Sequence, residues 1–231
     1  NILHSARALL AHATDLQSQI MTKGDTISGE LKLGSFSTLA SSILPRLVNS
    51  FSSNHPEIQI KITEGTQVEL IEGLNSGQLE MALLYDLDLP SSIKKTKLTE
   101  LTPHAVLPAG HPLSTQADVD ITDLADEPFI LLDIPPSREY FLGLFKSVGL
   151  EPNIVHSSPS LELVRGLVGY GLGFSLLVTR PMSDMTYDGQ QLDIKPLRNK
   201  ITKSSIVLAH HKDLRPTQLM TLFGELAQSI I

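Results

Sequence analysis

The sequence predicts an α/β chain: two Rossmann-like units joined at a waist and preceded by a separate N-terminal helix. Short runs of period-two alternation and stretches of helical period follow one another from Glu30 to the C-terminus. The stretch from Asp86 to Ser92, DLDLPSS, interrupts that order, which then begins again. Before Glu30 the pattern differs in kind, because Ile2, Ala6, Leu9, Ala13, Leu16 and Ile20 recur at alternating spacings of four and three.

That spacing makes a narrow coiled-coil seam over residues 1 to 23. A helix packed on its own unit would carry a wider apolar face, so the seam points to pairing with another chain. It begins abruptly, as a piece of a longer protein would, and ends at Thr22-Lys23-Gly24-Asp25. Leu31 and Leu33 then mark a strand, and a helix is expected over 38 to 52 with Leu39, Ile43, Leu47, Val48 and Phe51 on one face. Pro45 requires either a kink or a late start near Ser41 or Ser42, with the proline in the first turn.

Ile58, Ile60 and Ile62 alternate as a strand, Gly65-Thr66 opens a helix reaching Ser76, Gly77 caps it, and Leu79 to Tyr85 is a third strand. Strand, helix, strand, helix, strand implies a parallel sheet. Beyond the interruption, strands are expected at 103 to 107, 129 to 132, 153 to 156, 173 to 178, 192 to 196 and 204 to 209. Helices are expected at 137 to 148, 161 to 170 and 217 to 230.

Composition removes several functions. Without cysteine there is no disulfide, zinc thiolate, cysteine nucleophile or thiol sensor, which fits a reducing cytoplasm. A net charge of -7 opposes non-specific attraction of this chain to DNA or anionic lipid. Neither the phosphate-loop pattern nor the dinucleotide fingerprint is present, and Gly169-Tyr170-Gly171-Leu172-Gly173 leads from helix to strand, the reverse of a dinucleotide turn. No hydrolase elbow, zinc-protease pair or acid-base constellation supports an enzyme, and the eight histidines lack ligand spacing, so neither a cofactor nor a metal is expected.

In open parallel sheets, ligands bind beyond the carboxyl ends of strands, where helices begin. Three such junctions are rich in hydroxyls: Ser35 to Thr38, Gly65-Thr66, and Ser157 to Ser160. The plain alternative is that these side chains only cap helices. Arg138, after Pro135-Pro136-Ser137, could hold a carboxylate through its planar fork, or pair with Glu162 or a nearby acid.

The order and spacing of several short segments resemble the effector-binding part of LysR-type bacterial transcriptional regulators over nearly the whole chain. They include Gly29-Glu30-Leu31-Lys32-Leu33-Gly34 with Leu44-Pro45-Arg46-Leu47, His55-Pro56-Glu57-Ile58, Gly77-Gln78-Leu79-Glu80-Met81-Ala82, Gly110-His111-Pro112-Leu113 and Val168-Gly169-Tyr170-Gly171-Leu172-Gly173-Phe174. The resemblance implies a fold like type-2 periplasmic binding proteins, with subdomain I at 29 to 86 plus 211 to 231, subdomain II at 87 to 210, and an effector between them. It implies that Thr38 and Thr66 line the effector site, with Ser35, Ser37, Ser137, Arg138 and Ser160 as neighbours. Tyr85 departs from the polar residue or arginine that some members place there.

The partners implied are a small-molecule effector, an anion among the candidates, and a homodimer or homotetramer. DNA would be read by a winged helix-turn-helix outside this chain, and no membrane is involved. The rival function is that of a periplasmic-type solute-binding protein of a transporter, which has no use for a pairing helix.

Overall fold

The computed structural model describes residues 27–199 and 203–231, so the pairing seam assigned to residues 1 to 23 lies outside the described residues. The chain forms two compact units: residues up to Thr99 join Ser205–Ile231 in the first, and Glu100–Ser204 make the second.

In the first unit β1 (Gly29–Phe36) runs parallel to β2 (Ile58–Gly65), from Gly29 opposite Ile58 to Phe36 opposite Gly65. On its other side β1 is parallel to β3 (Met81–Tyr85). β10 (Ser204–His211) adds antiparallel to β3, and β4 (Ile93–Leu101) closes the far edge, giving the order β2-β1-β3-β10-β4. The three parallel strands therefore all end on one side, at Phe36, Gly65 and Tyr85.

Each parallel strand feeds a short connection. α1 (Ser37–Ala40) is a single turn, and α2 (Leu44–Asn54) begins after the turn at 41 to 43. The helix expected over 38 to 52 is thus divided in two. Pro45 sits in the first turn of α2, where its missing N–H would have had no intrahelical partner. α3 (Gln67–Ser76) opens on a capping box at Thr66 and stops at Gly77, whose φ of 76° is the left-handed geometry glycine adopts without strain. α6 (Gln218–Ile230) packs on α2 through Phe51 and Phe223, with ring centres 5.2 Å apart in an edge-to-face pair.

β4 was not expected. Its sequence IKKTKLTEL puts charge on both faces of an edge strand, which hides the period-two signal while blunting the edge against association. With β4 and β10 in the first sheet, the chain passes between units near Thr99 and Ser205, whereas the resemblance placed the passages near 86 and 211.

The second unit holds two small sheets. β5 (His104–Pro108) is antiparallel to both β8 (Ser175–Leu177) and β9 (Leu192–Pro196), and β6 (Pro128–Leu132) is parallel to β7 (Asn153–Ser158). α4 (Ser137–Ser147) and α5 (Leu161–Gly169) follow β6 and β7. Phe129 centres the core, 5.0 Å from Phe145 and 5.1 Å from Phe174. Gly173 lies against Pro128 so closely that a Cβ would stand 2.3 Å from the Pro128 carbonyl oxygen, at a φ of 151°. The glycine run thus makes a turn and a close backbone approach, and Phe174 donates its N–H to that same carbonyl at 2.9 Å.

Candidate functional site

The strand ends of the first unit gather four of the seven candidate residues. Ser35 is inside β1, fully buried, with its hydroxyl 3.4 Å from the Phe36 carbonyl. Ser37 opens α1 and donates to the Gly65 carbonyl at 3.3 Å, tying the end of β1 to the end of β2. Thr38, 4% exposed, shares a 2.7 Å hydrogen bond with the hydroxyl of Tyr85, which is 1% exposed at the end of β3. Thr66 serves its own helix: its hydroxyl donates to Glu69 Oε2 at 2.8 Å and accepts from the Glu69 N–H at 3.4 Å. The same carboxylate accepts from the Thr66 N–H at 2.8 Å, and these bonds hold Glu69 below the usual carboxylate range.

The other three candidates stand at the strand ends of the second unit. Leu132 pairs with Ser158, and Asp133 donates its N–H to the Ser158 carbonyl at 2.8 Å. Arg138, in the first turn of α4, forms an ion pair with Asp133 at 2.8 Å, so Asp133 is the nearby acid and Glu162 instead lies 3.4 Å from Arg165. Ser137 is buried and donates its N–H to the Ile134 carbonyl. Ser160 caps α5 by accepting from the Leu163 N–H at 3.3 Å, while its own N–H donates to the Ser158 hydroxyl at 3.1 Å.

Four residues outside the sequence-derived set contribute to these walls or their support. Tyr85 is the hydroxyl partner of Thr38, and Asp133 is the partner of Arg138; opposite charges five apart around Pro135-Pro136 were a signal for the latter. Gln67, 5% exposed, donates Nε2 to the Leu87 carbonyl at 2.5 Å while its Oε1 is buried without a protein partner. Arg165, 2% exposed, reaches from α5 to the carbonyls of Ser183 and Met185 at 3.1 and 2.6 Å and so anchors the loop ahead of β9. Nothing in the sequence marks Gln67 or Arg165 apart from other polar helix residues.

The chemistry of both walls is recognition. Hydroxyls, one ion pair and capped helix starts can hold and release a polar molecule, and the described residues contain no group of three or more His, Asp or Glu placed to hold a metal. No helix among the described residues is long and apolar enough to cross a membrane.

Comparison with known proteins agrees with this geometry. The LysR substrate binding domain family matches residues 24–229, and the chain belongs to that family. The crystal structure of HinK, a LysR family transcriptional regulator from Pseudomonas aeruginosa, superposes with a TM-score of 0.86 at 42% identity, covering 98% of this chain and 77% of HinK. The BenM effector binding domain, solved with its effector benzoate, shares the fold at 22% identity and a TM-score of 0.75, covering 87% of this chain and 91% of that domain. YybE of Bacillus subtilis, an uncharacterized HTH-type transcriptional regulator, is 28% identical over 180 residues, 76% of this chain and 60% of YybE. The chain spans about 55 to 60% of the length of the first curated relatives it matches.

Proposed function

We propose that this chain is the effector-sensing part of a cytoplasmic LysR-type transcriptional regulator and is not an enzyme. A small molecule engages the strand-end residues Ser37, Thr38 and Thr66 of the first unit and Ser137, Arg138 and Ser160 of the second, with Ser35 supporting from inside β1. Binding shifts the arrangement of paired subunits, and through it the DNA-binding heads of the whole protein. The observation that carries this reading is the hydroxyl set at the ends of β1, β2 and β3, tied together by the Ser37–Gly65 and Thr38–Tyr85 bonds, in a chain of this family. Family membership favours a regulator over a transporter's solute receptor, and the BenM domain with benzoate shows that the fold accommodates a small organic effector.

An effector acts only through its differential affinity for the two arrangements. A ligand at about a hundred times its Kd stabilises the folded state by about 2.7 kcal/mol, which for a chain of this size raises Tm by roughly 5 to 10 °C. Screening a metabolite panel by thermal shift should reveal such a ligand, and Thr38→Val with Thr66→Val should remove the shift while far-ultraviolet circular dichroism stays unchanged. An undiminished shift in the double variant would place the binding residues elsewhere.

A further inference from the structure

The strand-end walls are poor receptors for an anion. Anion sites in α/β units use helix-start amides or an uncommitted cation. In the first unit the α3 start is already occupied by the protein's own carboxylate, since Glu69 accepts from both the N–H and the hydroxyl of Thr66 at 2.8 Å. α1 is one turn long and provides no such start. The residues that follow β1, β2 and β3, namely Ser37-Thr38, Thr66-Gln67 and Asp86-Leu87-Asp88, contain two carboxylates and no lysine or arginine.

The second unit repeats the pattern with different groups. Arg138 is the one cation in the segments that directly follow β6 and β7, and Asp133 neutralises it at 2.8 Å. The α5 start is capped by the Ser160 hydroxyl and carries Glu162 in its first turn. What both walls hold in excess is acceptors. The Asp133 side chain is 32% exposed, and the Gln67 carbonyl oxygen, turned away from the bond its amide makes to Leu87, contributes unshared lone pairs in a low-dielectric setting.

We propose that the effector of this chain carries no net negative charge and is recognised through its hydrogen-bond donors, as an alcohol, amide or amine, in place of the carboxylate or other anion. This rests on the proposed function, because it names the ligand chemistry of that same site. A carboxylate entering here would meet Glu69, Asp86, Asp88 and Asp133 without a cation to receive it, whereas a hydroxyl or ammonium group finds acceptors ready.

The test uses scaffolds matched except in one group: benzyl alcohol, benzylamine and benzoate, and the equivalent cyclohexyl, indolyl and short-chain sets, titrated by thermal shift and calorimetry. Within the best-binding set, the alcohol or amine should bind at least about tenfold more tightly than the acid, a gap of one decade in Kd. Asp133→Asn frees Arg138 and should narrow that gap about tenfold by strengthening the acid. A carboxylate that binds as tightly as its matched alcohol and amine overturns the inference while leaving the effector reading intact. So does an Asp133→Asn protein with an unaltered preference. Absence of any shift with every set counts against the effector reading itself, and the inference falls with it.

Discussion

The first unit ends its parallel strands in hydroxyls that bond one another, and the second ends its pair in a carboxylate and a guanidinium. Thr38 and Tyr85 are 4% and 1% exposed and 2.7 Å apart, so the low dielectric strengthens their bond and packing fixes both side chains. Asp133 and Arg138 expose 32% and 39% of their side chains, where water competes with each partner for the other. One wall is set by the fold and the other can rearrange. A ligand's shape would thus be judged by the first unit and its charge by the second.

The units also differ in what holds their interiors, and the largest predicted effect lies there. Gly173→Ala places a Cβ against the Pro128 carbonyl oxygen, which belongs to backbone and cannot move without breaking the Phe174 N–H bond to the same atom. Overpacking against backbone at a strained φ belongs to the exceptional class of roughly 4 kcal/mol or more. The second unit should lose its cooperative urea transition while the Phe51–Phe223 pair reports a folded first unit. A single unchanged transition would show that the close approach is relaxed at little cost.

Next in size is a pH dependence confined to the second unit. His104 is pushed down to about 4, chiefly by burial and secondarily by the positive charge of Arg180. Below its ordinary value of 6.5 the unfolded chain binds this proton and the folded chain does not. The stabilisation is therefore complete above pH 6.5 and is lost as pH falls toward 4, by about 3 kcal/mol at 1.36 kcal/mol per unit. Urea midpoints at pH 7.5 and 4.5 should separate for the native chain and converge for His104→Gln. Equal separation in both proteins would assign the slope to other groups.

Periodicity revealed the elements whose faces are one-sidedly buried, such as α2 with Leu44, Leu47 and Phe51, and α6 with Leu219 and Phe223. It missed β4, where charge covers both faces of an edge, and therefore placed the passages between units too early and too late. At the candidate site the hydroxyls were visible because strand ends and helix starts can be located from pattern. Their partners were not. Tyr85 lies 47 positions from Thr38, and the Gln67–Leu87 contact depends on how β3 returns beside β1. Long-range pairing of single polar atoms leaves no periodic trace.

The smaller effects measure the walls against each other. A double-mutant cycle on Thr38→Val and Tyr85→Phe should give a coupling of about 1 kcal/mol in the unliganded chain, since each single change leaves the other hydroxyl buried without its partner. The same cycle on Asp133→Asn and Arg138→Gln should give about 0.5 kcal/mol or less at moderate salt, because both groups regain water when the pair is broken. Raising ionic strength should erase the second coupling and leave the first unchanged, as screening acts on exposed charges and not on a buried neutral pair. If the ion pair proves the stronger of the two, the second wall is as rigid as the first, and charge discrimination would have to come from repulsion by fixed carboxylates with no rearrangement of Arg138.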